Sequence, residues 1–192
     1  ATGNIGRSLI RKFTKNNYKV VAVTRNIHQK GFQLKTQANP GYLELVELKS
    51  LDEAKIKDLF NSCSVCINLI GILYEKNKGQ FNKIHSVLPN ILSKIAKEKK
   101  IDQFIHVSAL GVENASNSVY AKSKLDGENN VKKNFKNSLI LKPSIVYGID
   151  DNFTTNFMSL LSKLPIMPLY YNGETKFVPI HVSDLAEIIY QM

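Results

Sequence analysis

The sequence has no tryptophan, only two cysteines in 192 residues, and among its 26 basic residues just three arginines, Arg7, Arg11 and Arg25. It also lacks any apolar run near the ~18 residues that a membrane-spanning helix needs. Its first residues show neither the charged start nor the apolar stretch of a secretory signal. These shortages favour a soluble, intracellular protein. The cysteines, Cys63 and Cys66, form a C-x-x-C, a spacing used by zinc and redox sites. Zinc would need a second ligand pair, and the four histidines (His28, His85, His106, His181) stand singly. A redox pair sits at a helix start, where the dipole lowers a thiol pKa, whereas these two lead into the apolar stretch 65–70. Buried structural thiols and no metal are therefore expected. The formal charge of +10 rests on lysines spread along the chain among asparagines. That distribution favours solvated surface charge over nucleic acid or an anionic membrane as partner.

What the chain does have is alternation. With 43% hydrophobic content, its length suits one globular domain with a substantial core. Apolar residues at helical spacing over 5–13 precede a short β-branched run over 19–24. Further strands are expected at 43–48, 65–71, 103–108 and 138–145. Helices are expected at 51–60, 81–99, 118–135 and 156–164, and the chain ends within another. Nearly all-apolar strands alternating with helices mark a parallel sheet covered on both faces. The fold class is α/β, a Rossmann-type doubly wound sheet. Residues 1–164 are read as the dinucleotide-binding domain. The proline-containing segment 165–179 is read as leaving the sheet, so that 165–192 begins a substrate-side segment.

The opening Ala1-Thr2-Gly3-Asn4-Ile5-Gly6-Arg7 reads as the end of a G-x-x-G-x-x-G turn. Glycine there lets backbone approach a pyrophosphate, and the following helix points its amides at the anion. The second predicted element, the strand over 19–24, runs into Arg25, where an NAD-specific site carries an acid for the ribose 2′-hydroxyl. A guanidinium at that place can pair with the 2′-phosphate of NADP, and Arg7 can add a second charge. A solvated arginine is the alternative at both positions. NADP(H) is the preferred cofactor and NAD(H) the second choice.

Tyr120 and Lys124 lie four residues apart on one face of a predicted helix. An ammonium near a phenol favours phenolate and lowers its pKa, which suits proton transfer during carbonyl reduction. The pair follows a strand ending HVSA and precedes LKPSIVYG. With ATGNIGR (1–7), NLIGILYE (68–75), FIHVSALG (104–111), YAKSK (120–124), DDNFTTNF (150–157) and GETKFVPIHVSDLAE (173–187), the chain resembles the extended and atypical branch of the short-chain dehydrogenase/reductase superfamily. Within it, the chain is similar to the nucleotide-binding accessory subunits of respiratory complex I and their bacterial, NAD-dependent epimerase/dehydratase-like relatives.

The resemblance implies that Thr2, Gly3, Asn4, Ile5 and Gly6 hold the pyrophosphate and that Leu69, Ile70 and Gly71 line the adenosine ribose. It places Val107 at the strand end and Tyr120 and Lys124 at the nicotinamide ribose. Pro143, Ser144 and Ile145 approach the carboxamide. Asp184 anchors a loop over the site, with a helix N-cap at Ser183 or Asp184 as the alternative. The resemblance also puts the first strand of the sheet and the first glycine before Ala1, and a further carboxyl-terminal lobe after Met192. One departure concerns the catalytic serine. Its position falls on Ala109, with Ser108 turned to the other face of the strand. His85 stands near the place of the superfamily's helix asparagine. The incomplete set favours a structural nucleotide-binding component of a respiratory assembly. The retained Tyr120 and Lys124 favour an active NADP-dependent reductase or epimerase on a small or lipid-like carbonyl.

Overall fold

The computed structural model describes residues 1–149, 151–163, 170–174 and 176–192. Helices and strands alternate along the chain: α1 (Asn4–Lys15), β1 (Val20–Thr24), α2 (Ile27–Lys35), β2 (Leu43–Glu47), α3 (Glu53–Leu59), β3 (Val65–Asn68), a π-helical turn (Asn82–Val87) running into α4 (Leu88–Glu98), β4 (Gln103–Val107), α5 (Val119–Asn134), β5 (Leu139–Leu141), β6 (Val146–Tyr147), α6 (Asn152–Lys163), β7 (Ile180–His181) and α7 (Val182–Gln191). Ladders join β1 with β2, β3 with β4, β4 with β5, and β6 with β7. The β3–β4, β4–β5 and β6–β7 pairs are parallel, with Ile67 beside Ile105 and Ile105 beside Leu139. Parallel neighbours joined through helices are the α/β pattern that the alternation implied.

Among the elements that differ from the sequence reading, four stand out. The helix α2 has no counterpart in that reading. It carries Gly31 and a weak apolar face, yet it buries Leu34 completely. The strand expected over 65–71 stops at Asn68, because the Asn68 side chain accepts the Ile70 N–H and turns the chain out of the ladder. The run 138–145 yields only β5, and Pro143, with no N–H to give a ladder, lies just beyond it. The helix over 81–99 opens with a π turn. Pro89 has no N–H for the carbonyl four residues back, that of His85, and its ring crowds that oxygen. The preceding turn widens, so that Leu88 N–H reaches the Lys83 carbonyl instead. Part of the segment 165–179, namely 165–169 and residue 175, lies outside the described residues.

The chain divides into two compact units, one of Ala1–Ala22, Lys30–Glu44 and Ser144–Met192, the other of Val23–Gln29 and Leu45–Pro143. In the first, α1 packs on α7, burying Leu9 and Ile10 of α1 and Leu185 and Ile189 of α7. Phe13, Tyr18 and Tyr190 meet edge to face, and Lys12 pairs with Glu187. In the second, Ile56, Phe60, Ile95, Ala96, Ile101, Phe104 and Val131 form a continuous apolar core. Phe104 and Val131 are wholly buried. Each such side chain contributes roughly 1.5–3 kcal/mol relative to exposure.

The helix α5 is built differently. The face it buries includes Ser123, Lys124, Gly127 and Glu128 beside Ala121 and Val131. Its Asn130 donates to Ser86, and its Asn134 donates to Asn90 and Ser93. These asparagines stitch α5 to the π turn and α4.

Candidate functional site

The candidate residues fall in both units. In the first, α1 starts at Asn4 with Gly3 as an extended N-cap. Gly3 supplies no side-chain cap, and no carboxylate stands in the first turn. Arg7 N–H donates to the Gly3 carbonyl at 3.0 Å. Gly6 is buried, and a Cβ on it would sit 2.3 Å from the Ala1 carbonyl oxygen. Only glycine fits there. The Asn4 Nδ2 is buried with no hydrogen-bond partner among the described residues, and Thr2, Ile5 and Arg7 are half-buried around it. A helix start with a glycine cap, no acid and an unsatisfied buried amide is suited to an anion. In the same unit Ser144 and Ile145 are half-buried, and the Ile145 carbonyl accepts the Ile180 N–H at 2.9 Å. The pocket beside them, about 290 Å³, is lined by Ile145, Tyr147, Phe153, Thr154, Phe177 and Pro179. Asp151 fixes the start of α6 by accepting from Thr154 N–H at 2.6 Å and Gly148 N–H at 3.0 Å.

At α7 the N-cap is His181, and neither Ser183 nor Asp184 holds that place. The His181 ring nitrogen accepts the Ser183 N–H, and Asp184 lies in the first turn, where its charge favours the helix dipole.

In the second unit Arg25 is exposed just beyond β1. The turn around it is tied by Asn26 N–H to Thr24 Oγ1 and by Ile27 N–H to Glu47. Leu69, Ile70 and Gly71 form the loop after β3. A Cβ on Gly71 would lie 3.2 Å from Lys124 Nζ and 3.7 Å from His85 Nε2, so at this glycine the loop passes close over both groups. Lys124 is itself buried and donates to the Val107 carbonyl at 3.3 Å. Burial lowers its pKa to about 8, and the Glu128 carboxylate one turn on partly restores it. Glu128 is 1% exposed. One of its oxygens pairs with Lys142 at 3.0 Å, and the other has no partner among the described residues.

Tyr120 is half-buried and packs edge to face on His85 and Phe81. Its phenol pKa is raised by burial, which corrects the expectation of a lowered value. An ammonium lowers a phenol's pKa only when its field reaches the oxygen, and at Tyr120 the cause that acts is desolvation. Ser108 is buried, gives its N–H to the Leu141 carbonyl, and keeps its hydroxyl without a partner among the described residues; Ala109 beside it is half-buried. Pro143 lies half-buried, with its carbonyl accepting Leu110 N–H.

Two histidines that the sequence left as single residues lie in this cluster. His106 is buried beside Asn68, its Nδ1 3.1 Å from the amide. His85 is buried with Phe81 stacked on it. Burial, then the Lys124 charge, brings each imidazole to about 4. The cysteines are half-buried and free, where full burial was expected. Desolvation, then Cys63, pushes the Cys66 thiol to about 12, far from the thiolate that redox chemistry needs. Among the described residues no cluster of metal-ligating side chains occurs, and no helix is long and apolar enough to cross a membrane.

The chain is 30% identical over 190 residues to the Arabidopsis thaliana protein "NADH dehydrogenase [ubiquinone] 1 alpha subcomplex subunit 9, mitochondrial", covering 98% of this chain and 47% of that one. It is 27% identical to a ceramide reductase of Caulobacter vibrioides, covering 97% of this chain and 56% of that protein. The chain thus spans about half the length of the curated relatives it matches. Its fold superposes on the Bacillus cereus UDP-glucuronic acid 4-epimerase solved with UDP-glucuronic acid and NAD. That match has a TM-score of 0.78 at 20% identity, over 99% of this chain and 70% of the other. A family model described as NAD(P)H-binding matches residues 1–151, more than half of the sequence, and the chain belongs to that NAD(P)H-binding family.

Proposed function

We propose that this protein binds NADP(H) in preference to NAD(H) and serves as a structural or accessory nucleotide-binding component linked to respiratory complex I or quinone metabolism. The observation that carries the nucleotide reading is the start of α1, where Gly3 caps the helix without a side chain and no acidic side chain in the first turn competes with a pyrophosphate. The relatives named as complex I subunits support the accessory role. Residues 1–164 would form the dinucleotide-binding part and 165–192 the beginning of the substrate-side segment. Thr2, Asn4 and Ile5 would surround the pyrophosphate, Leu69, Ile70 and Gly71 the adenosine ribose, and Val107, Pro143, Ser144 and Ile145 the nicotinamide end. Arg25, exposed at the end of β1 with no acid in its place, would pair with the 2′-phosphate, and Arg7 would add to it. The site would be cytoplasmic, with peripheral attachment at a membrane through protein partners. A nucleotide that binds only the folded state stabilises it by mass action without turning over.

A second reading, an active reductase, is favoured by the placement of Tyr120 and Lys124 one helical turn apart and by the relative named as a ceramide reductase. The dinucleotide would supply the hydride. Tyr120 would hold the proton for the carbonyl oxygen, Lys124 would orient the ribose, and Ser108 would contribute a hydroxyl only after turning toward the substrate. Calorimetric titration with NADPH and NADH tests the main reading. NADPH is expected to bind tighter, and Arg25→Ala is expected to remove most of that preference. Equal affinity for both nucleotides in wild type would overturn the NADP assignment, and binding of neither would overturn the nucleotide reading. Tyr120→Phe separates the two roles: loss of turnover with cofactor retained marks the enzyme, and no turnover in wild type marks the accessory protein.

A further inference from the structure

His85 has a bond for each ring nitrogen. Its Nε2 accepts the Ile72 N–H at 3.0 Å, so this nitrogen carries no proton. Its Nδ1 must then hold the ring proton of a neutral imidazole, and it lies 3.0 Å from Ser123 Oγ. The Ser123 hydroxyl is committed in turn, donating to the Tyr120 carbonyl at 2.7 Å. A directional chain therefore runs from the backbone of the 69–72 loop, through the imidazole, to the first turn of α5. The ring is clamped between Phe81, stacked at 5.4 Å, and the edge-on Tyr120 at 5.3 Å. Behind it, the His85 carbonyl sits where a Cβ on Gly127 would come within 1.8 Å, so the π turn and α5 touch backbone to backbone. The charged and titratable groups facing the ring are Lys124, whose Nζ approaches Gly71, with His106 and the Tyr120 phenol.

We propose that His85 is a positioning residue: as a neutral Nδ1–H imidazole it locks the 69–72 loop to the helix that carries Tyr120 and Lys124, so that engagement of that loop by a dinucleotide and the placement of those two side chains are one event. This inference rests on the nucleotide reading above. A side chain serving only as filler would need no hydrogen bond at either nitrogen. Here both bonds are made inside a buried site, where an unmade one is costly.

The test is long-range nitrogen–proton NMR of the histidine rings in the full chain, with NADPH titration of wild type, His85→Phe and His85→Gln. At neutral pH the His85 signals are expected to report the Nδ1–H tautomer. Added NADPH is expected to shift the Nε2 resonance together with the Ile72 amide. His85→Phe keeps the ring packing and removes both bonds, and is expected to weaken NADPH about tenfold, the change of one modest hydrogen bond. His85→Gln, which has an acceptor and a donor, is expected to recover part of that loss. An Nε2–H tautomer, or a folded His85→Phe that binds NADPH as wild type does, overturns the inference and leaves the nucleotide reading standing. Failure of wild type to bind any dinucleotide overturns both.

Discussion

At Lys124 a single buried ammonium makes the electrostatics of α5 testable. Burial destabilises its charge, and the partly unsatisfied Glu128 carboxylate supports it from one turn away. Competitive labelling with a small acylating reagent is expected to show one lysine amine titrating near 8. Glu128→Gln removes the anion while keeping the shape, and is expected to lower that apparent value further. A value unmoved or raised in the variant would mean that Glu128 acts only on Lys142. The phenol of Tyr120 moves the other way, since burial disfavours its anion. It is expected to remain protonated through the neutral range in ultraviolet titration, so any proton it passes starts from the neutral hydroxyl.

At the scale of the element, Gly127 decides how closely α5 can approach the π turn. In an exposed helix, glycine to alanine gains about 1 kcal/mol. Here the added Cβ would meet the His85 carbonyl at 1.8 Å, a backbone atom with little freedom to retreat. Gly127→Ala is therefore expected to destabilise by about 1–3 kcal/mol, the range of overpacked cores, read as a lower urea midpoint. A gain in stability would refute the close packing. Asn134→Ala removes the bonds to Asn90 and Ser93 and is expected to cost about 1 kcal/mol by the same measurement.

For the whole molecule, His85 and His106 link folding to pH. Both titrate near 4 in the fold, against about 6.5 in an unfolded chain. Between those values the unfolded state binds more protons. Their stabilising contribution is therefore full above about pH 6.5 and is lost as pH falls toward 4. Each tenfold difference in proton affinity between folded and unfolded chain is worth about 1.4 kcal/mol, so the combined loss is on the order of a few kcal/mol once solvent screening is allowed for. Urea midpoints measured from pH 7 to pH 4 are expected to fall steadily, and a flat profile would show that both rings are already solvated.

Hydrophobic period and punctuation carried most of the fold. Alternating apolar strands and helices were visible because burial on both faces of a parallel ladder restricts residue type at each position. Tyr120 and Lys124 were legible by helical spacing alone. What tertiary structure decided was the environment of those residues. Spacing could not show that Lys124 and Glu128 turn inward, that burial raises the Tyr120 phenol, or that His85 joins a loop to a helix. The period of a helix or strand fixes which face a side chain takes. Its pKa and its partners depend on what other elements bring to that face, and the contact between His85 and Ser123 alone reaches across 38 residues of chain.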